Sequence, residues 1–178
     1  MGIAFFAICY GGLLAISQTA GMVASNGLSP RTIDTTLAML TVGYLGGSLL
    51  GGKLVEVTSG RATLIGASIL IAIGLTSLNL SSPVVVIAGA LAVGAAFGSS
   101  ASFMPILIGE RFGAAMIGPV YGKLIVSYGL AGLVAPWLSG LLFERTGGYM
   151  SAVWIGIALC ALSALLGAMM AKAPNPAT

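Results

Sequence analysis

The segment GKLVEVTSGR at residues 52–61 is a short polar interruption in a sequence that is otherwise almost continuously apolar. The segment GLLFERTGGY at residues 140–149 aligns with it without a gap, and five of the ten positions carry the same residue. The second segment begins 88 residues after the first (140 minus 52). A polar segment that recurs about half the chain length later indicates an internal repeat.

The composition around these segments is that of a membrane protein. Apolar residues make up 58% of the 178 residues, charged residues make up 6%, and the mean hydropathy is +1.09. A chain with so few charges cannot cover a core with a hydrated surface, so we expect lipid to be its solvent. The net charge of +3 arises from 7 basic and 4 acidic residues, too few for a nucleic-acid-binding surface. We therefore expect an integral membrane protein with the lipid bilayer, and no nucleic acid, as partner.

Six apolar stretches lie between the polar, proline and glycine interruptions. Each is long enough to cross a hydrocarbon layer of roughly 30 Å as a helix. We predict one all-α transmembrane domain over residues 1–171 and a cytoplasmic tail at residues 172–178. The predicted spans lie near residues 3–25, 33–56, 62–80, 83–108, 118–143 and 150–171.

The basic residues predict the orientation of these spans, because cytoplasmic loops carry an excess of Lys and Arg. With a cytoplasmic N-terminus, five of the seven basic residues lie inside, and only Arg31 and Arg145 lie outside. Each of these two arginines has an acidic residue close by in sequence. We predict a multi-pass protein with both termini in the cytoplasm, and we expect a bacterial cell inner membrane as its location.

In this orientation the two matching segments lie on opposite sides of the membrane. GKLVEVTSGR joins the second and third spans inside, and GLLFERTGGY joins the fifth and sixth spans outside. Two three-helix units of opposite topology give this result, an arrangement on which many secondary transporters are built. We therefore predict six transmembrane helices arranged as two inverted three-helix repeats.

The second half of the sequence carries a succession of recognisable elements. They are Phe112-Gly113, Tyr121-Gly122, Pro136 and Thr146-Gly147-Gly148-Tyr149. This succession resembles the tenth-to-twelfth-helix region of the major facilitator superfamily, and is most similar to its oxalate/formate and monocarboxylate transporter branch. The stretch LLAISQTAGMVASNGLS is similar to the seventh helix of the same branch.

GKLVEVTSGR also resembles a motif of that superfamily, the loop signature G-x-x-x-D-R-x-G-R. Here Glu56 replaces the Asp, Val57 replaces the Arg, and one additional residue precedes Gly60. The resemblance covers nearly the whole chain, and it departs from the family pattern at these positions.

The resemblance implies the C-terminal six-helix half of a twelve-helix facilitator. It implies half of a secondary transporter that moves a small solute, such as a monocarboxylate, by alternating access. Six helices cannot enclose the central pathway, so a second six-helix half is expected from the same polypeptide, another chain or a homodimer. The alternative is a non-transporting structural or assembly subunit of a larger membrane complex.

By the resemblance, the first, second, fourth and fifth helices face the pathway, and their polar residues are candidates for substrate binding. On the first helix the candidate is Gln18, whose amide either contacts substrate or bonds a neighbouring helix. On the second helix Tyr44 and Ser48 are four residues apart and share a face. Ser48 lies within the stripe Gly43-x-x-x-Gly47-x-x-x-Gly51, which also favours close helix packing.

The fourth helix contributes Ser99 and Ser102, which lie three residues apart on one face. Serines in membrane helices either bind substrate or bond their own backbone. Gly94 and Gly98 on this helix permit close helix approach. On the fifth helix Tyr128 lies near mid-membrane, where a phenol offers an apolar ring and a polar tip to a substrate.

Three charged residues are candidates for gating. Glu56 and Arg61 close the cytoplasmic end of the second and third helices, and the resemblance implies that Glu56 meets a group across the cytoplasmic face. Lys123 lies a few residues inside the fifth helix, where it either attracts anions or extends to the interface.

The residue types that are missing exclude other chemistry. The sequence has no His, so a Ser/His nucleophile cannot form, and Cys9 and Cys160 are isolated on separate helices. No span has a charged residue at its middle, so a doubly charged substrate is not favoured, and a proton-coupling group must come from the second half. We expect no enzymatic activity, no cofactor and no metal.

Overall fold

The computed structural model describes residues 1–170, so the predicted tail at 172–178 lies outside the described residues. Residues 1–170 form six long α-helices without any strand. The helices are α1 Gly2–Ser25, α2 Pro30–Val57, α3 Gly60–Ser77, α4 Pro83–Phe112, α5 Ile117–Thr146 and α6 Met150–Met169. A short 3-10 helix at Ala114–Met116 precedes α5. All six helices are long and apolar enough to cross a membrane, and the predicted all-α membrane fold is confirmed.

Three helices extend at least three residues beyond the predicted stretches, and α2 does so at its start, at Pro30 instead of residue 33. α4 continues to Phe112 and α5 continues to Thr146, whereas the predicted stretches end at residues 108 and 143. The predicted stretches end just before polar segments, but a helix continues past the hydrocarbon layer as long as its backbone hydrogen bonds are formed. α3, in contrast, ends at Ser77, three residues before residue 80.

The packing of the helices repeats between the two halves of the chain. α2 packs chiefly on α4, and α5 packs chiefly on α1. α3 also packs on α4, as α6 packs on α1, and α3 and α6 contact each other. If α1, α2 and α3 are exchanged with α4, α5 and α6, respectively, the pattern of contacts stays the same. The predicted pair of three-helix repeats is therefore visible in the packing.

The closest helix contact joins α2 to α4 through glycines. A Cβ atom added at Gly47 would lie 2.0 Å from the carbonyl oxygen of Ala95, and one at Gly98 would lie 2.1 Å from that of Tyr44. Such distances leave no room for any side chain, so the two backbones are in direct contact. The packing role predicted for the glycine stripe is confirmed, as expected for membrane helices that approach through small residues.

A buried chain of serine hydrogen bonds joins α3, α6 and α1. The Ser68 hydroxyl of α3 lies 3.0 Å from that of Ser163 on α6, which donates at 3.0 Å to the carbonyl of Ala4 on α1. Both serines are fully buried. Each polar group is satisfied, as burial in an apolar environment requires.

Candidate functional site

A cleft of about 180 Å³ lies where α1, α2, α4 and α5 meet. These are the four helices that the family resemblance places along the pathway. The lining residues are Phe5, Tyr44, Phe97, Ser100, Ala101, Tyr121, Ile125 and Tyr128. We call this site the aromatic cleft, because five of its eight lining residues carry an aromatic ring.

Phe97 is the central ring of the aromatic cleft. Its centroid lies 5.7 Å from that of Tyr44 and 6.4 Å from that of Tyr128, and the Phe97 and Tyr128 rings are nearly parallel at 5°. The Phe97 ring also fills the space beside Gly12 of α1, where an added Cβ would lie 2.3 Å from ring atoms. Gly12 therefore allows Phe97 to reach across the cleft and connect α2 with α5.

One side of the aromatic cleft is open. Phe97 is buried, but Tyr128 is 39% exposed and Ile125 is 45% exposed. The inner wall is thus fixed by packing within this six-helix unit, whereas the outer side has no wall from residues 1–170. A solute in the cleft would remain accessible unless another element covered it.

The helical spacing explains why these residues meet. Tyr121, Ile125 and Tyr128 on α5 follow the spacing i, i+4, i+7, so they share one helix face. Phe97 and Ala101 on α4 are four residues apart and share a face in the same way. The two faces oppose each other across the cleft.

The structure brings together two of the predicted substrate-binding residues. Tyr44 of α2 and Tyr128 of α5 both line the aromatic cleft, on either side of Phe97. They are far apart in sequence.

The three predicted serines do not line the aromatic cleft. The Ser48 hydroxyl donates to the carbonyl of Leu45 at 2.9 Å, and the Ser99 hydroxyl donates to that of Ala96 at 2.7 Å. The Ser102 hydroxyl donates to the backbone carbonyl of Ser48, across the α2–α4 contact. All three hydroxyls are engaged by backbone, so their role in substrate binding stays a prediction without support from the cleft.

Gln18 also lies away from the lining of the aromatic cleft. It is half-buried on α1, and within residues 1–170 its amide has no hydrogen-bond partner. The expected bond to a neighbouring helix is therefore not formed in the described part of the chain, and its contact with substrate stays a prediction.

The three candidate gating residues have different surroundings. Glu56 is exposed, and in the part of the chain that the structure describes it forms no ion pair or hydrogen bond. Arg61 donates to the carbonyl of Ala168 in the last turn of α6, a favourable place for a cation because helix C-termini carry partial negative charge. Lys123 is exposed on α5 and does not line the aromatic cleft.

Several lining residues of the aromatic cleft are not among the residues predicted from the sequence. Phe5, Phe97, Ser100 and Tyr121 are not among the predicted substrate-binding residues. The spacing of Tyr121 and Tyr128, seven residues apart on one helix, is the signal that could have found Tyr121. Phe97 has no comparable signal, because its position depends on Gly12 of another helix.

The aromatic cleft offers hydrogen bonds without fixed charge. Its polar groups are the hydroxyls of Tyr44, Tyr121 and Tyr128, together with Ser100, whose hydroxyl donates to the carbonyl of Phe97 at 2.6 Å. Across residues 1–170 no three His, Cys, Asp or Glu side chains come together in a way that could hold a metal ion. The arrangement suits a small solute with one polar end and an apolar body.

Comparison with known proteins agrees with the fold. The family model of the Major Facilitator Superfamily matches residues 1–178. A search of curated proteins finds no match.

Proposed function

The chain belongs to the Major Facilitator Superfamily, whose members are secondary transporters, and from this premise we propose that it is one six-helix half of a transporter for a small organic anion such as a monocarboxylate. Transport proceeds by alternating access. The observation that carries the proposal is the aromatic cleft, which is built by α1, α2, α4 and α5 and is open on one side. An open cleft on a six-helix unit is what one wall of a central pathway requires.

The lining favours a singly charged solute. Three tyrosine hydroxyls can donate hydrogen bonds to one carboxylate, and the rings of Phe5 and Phe97 offer an apolar surface to the rest of the molecule. No Lys or Arg lines the cleft, so a dianion would lose its hydration without gaining a fixed countercharge there. The resemblance to the monocarboxylate branch supports the same substrate class.

The second wall of the pathway comes from another six-helix unit. That unit is part of the same polypeptide, another chain or a second copy of this one. The exposed apolar residues of α5, such as Leu133 at 68% and Trp137 at 64%, give this helix a surface that lipid or a second unit can cover. In the proposed orientation both termini are cytoplasmic, in a bacterial inner membrane.

Uptake by the assembled transporter tests the substrate proposal. Membrane vesicles containing the full chain and its second half should take up radiolabelled lactate saturably. Tyr128→Phe and Tyr44→Phe should each raise KM about tenfold or more, because a hydrogen bond to a charged group contributes about 1.5–3 kcal/mol. Tyr149→Phe, which changes a tyrosine outside the cleft, is the matched control and should leave KM unchanged.

Two results would overturn parts of this proposal. Absence of saturable uptake for a series of monocarboxylates by the assembled protein would exclude the substrate class. Saturable uptake by a proven six-helix monomer would exclude the half-transporter arrangement, because the open cleft would then need no second wall.

We further propose that Glu56 forms a gating contact with the second half when the pathway is open to the outside. Its exposure and its lack of a partner within residues 1–170 leave the carboxylate available for such a contact. Arg61 and Lys123 are proposed as gating groups on the same side, although Arg61 must then exchange or share its bond to α6.

A pair of substitutions tests the gate. Glu56→Gln should slow transport about 5- to 150-fold, the effect of a coupling of roughly 1–3 kcal/mol. It should also raise cytoplasmic accessibility of the pathway, as measured by thiol labelling. Glu144→Gln, at the equivalent position of the second repeat, should have a smaller effect. Unchanged transport and accessibility in Glu56→Gln would show that this loop is only a turn.

A further inference from the structure

A second and larger groove, of about 910 Å³, lies between α2 and α3 with α4 as its floor. It shares no lining residue with the aromatic cleft. We call it the α2–α3 groove. α2 and α3 are joined by a short connection but make few contacts with each other. The groove is the space between them.

Glycine on both walls keeps the α2–α3 groove open. A Cβ atom added at Gly46 on α2 or at Gly66 on α3 would meet nothing within 4 Å. Both glycines line the groove, so side chains at these positions would project into it. In contrast, Gly47 on α2 contacts the backbone of α4 and has a packing role. The open space at Gly46 and Gly66 is therefore not needed for contact between the described helices.

The length and lining of the groove fit a lipid acyl chain. Its α2 wall extends from Val42 to Val57, which corresponds to about 22 Å at a rise of about 1.5 Å per residue. This exceeds one leaflet of a hydrocarbon layer that is roughly 30 Å thick in total. The lining is almost entirely glycine, alanine, valine and leucine, so an extended acyl chain would meet apolar surface along its whole length.

One end of the groove carries a positive charge. Lys53 is the one charged side chain among the described residues that line it, and it lies near the connection between α2 and α3. Thr58 and Thr63 lie at the same end, but their hydroxyls donate to the backbone carbonyls of Leu54 and Ser59. Lys53 is exposed and forms no ion pair within residues 1–170, and the nearby Glu56 does not line the groove. A cation at this end of an apolar groove complements the phosphate of a lipid whose acyl chain lies in the groove.

We propose that the α2–α3 groove binds an anionic phospholipid from the leaflet on the side of the α2–α3 connection. One acyl chain lies along the glycine-lined walls, and the phosphate contacts the Lys53 ammonium group. The site requires only that α2 and α3 span the membrane, and it is independent of the solute that the aromatic cleft binds.

Native mass spectrometry of the full chain tests this site. The protein is delipidated in detergent and titrated with phosphatidylglycerol or with phosphatidylcholine of the same acyl chains. We expect one phosphatidylglycerol to bind about fivefold more tightly than phosphatidylcholine, the effect of one Lys near an anionic headgroup. Lys53→Gln should abolish this preference.

Groove-filling variants test where the acyl chain lies. Gly66→Leu and Gly46→Leu should weaken the binding of both lipids, because the added side chain occupies the groove. Gly140→Leu is the matched control: a Cβ atom there also meets nothing within 4 Å, but Gly140 lies on α5 outside the groove. This control should bind lipid as the unmodified chain does.

Three results would overturn the proposal. The first is equal binding of the two lipids by the unmodified chain, and the second is unchanged preference in Lys53→Gln. The third is a change of oligomeric state in the groove-filling variants without loss of lipid, which would show that a second protein surface covers the groove. If the leucine variants fail to fold, Lys53→Gln still decides, because its side chain is exposed and takes no part in helix packing.

Discussion

α2 and α5 hold equivalent positions in the two repeats, yet they pack through different small residues. The packing stripe of α2 consists of Gly43, Gly47 and Gly51, and the residues 88 positions later are Ala131, Ala135 and Ser139. These three residues of α5 are fully buried. Both helices therefore present small residues at four-residue spacing to their main partner, and only α2 uses glycine.

The difference sets how closely each helix approaches its partner. The contact of α2 with α4 is the most extensive of any helix pair, and it exceeds the contact of α5 with α1. Glycine lets the backbone of α2 touch that of α4, whereas alanine at the equivalent positions of α5 keeps a methyl group between that helix and whatever packs on it. One packing pattern thus gives one tight and one looser interface.

The two repeated connections differ in a similar way. Thr58 and Thr146 hold equivalent positions, and their hydroxyls donate to Leu54 at 2.6 Å and to Leu142 at 2.8 Å. The next residues differ: the Ser59 side chain caps α3, whereas Gly147 ends α5 with a left-handed φ of 72°. The shared threonine makes the same bond in both connections, whereas Ser59 caps the start of the following helix and Gly147 caps the end of the preceding one.

Labelling from the two sides of the membrane gives the largest expected effect and tests whether the repeats are inverted. Thr58→Cys should react with an impermeant thiol reagent only from the cytoplasmic side, and Thr146→Cys only from outside. The unmodified chain is the control, because Cys9 and Cys160 are buried and should react little. Labelling of both positions from one side would contradict the inverted arrangement.

Gly47→Ala gives α2 the residue that α5 has at the equivalent position. We expect it to lower the free energy of unfolding by about 1–3 kcal/mol, because the added methyl group meets a backbone carbonyl that cannot rotate away. Gly46→Ala is the matched control, since its Cβ atom meets open space. Thermal unfolding in detergent should separate the two variants, and equal stabilities would show that the α2–α4 contact is not tight.

Exchanging the capping residues Ser59 and Gly147 sharpens the comparison of the two connections. Gly147→Ser should destabilise the protein by about 1–2 kcal/mol, because a residue with a Cβ atom is strained in the left-handed region. The reverse change at the equivalent position, Ser59→Gly, should cost only about a few tenths of a kcal/mol. Similar losses in both variants, measured by thermal unfolding, would contradict a difference in how the two connections are capped.

Ala135→Gly is the reverse of Gly47→Ala at the equivalent position, and it should have a smaller effect than Gly47→Ala. We expect a loss of about 1 kcal/mol, because glycine in a helix interior adds flexibility to the unfolded chain. No close backbone contact is broken by this change. A loss as large as that of Gly47→Ala would indicate that the methyl group of Ala135 fills an essential packing position.

Much of the fold could be predicted because a membrane restricts the choice of structure. Lipid offers no hydrogen bonds, so an apolar stretch of sufficient length must form a helix, and the six spans follow from hydropathy alone. The repeat of residues 52–61 at 140–149 indicated the relation between the two halves. The glycine stripe of α2 predicts a packing surface, although it does not indicate that the partner is α4.

The aromatic cleft could be predicted only in part. Tyr44 and Tyr128 were found because phenols inside membrane spans are distinctive, and the structure places both in the cleft. Ser48, Ser99 and Ser102 were chosen by the same reasoning, yet their hydroxyls bond the backbone. A sequence does not reveal whether a serine hydroxyl bonds the backbone of a helix or faces an open cleft.

The sequence by itself determined the number of spans, the family and the internal repeat, because these depend on composition, length and local residue order. Only the tertiary structure decided the rotation of each helix about its axis, and hence which side chains meet. The helices are apolar on nearly all sides, so hydropathy does not orient them. Close contacts orient them. The contact of Gly47 with Ala95 determines which face of α2 packs on α4, and the position of Phe97 beside Gly12 determines the centre of the aromatic cleft.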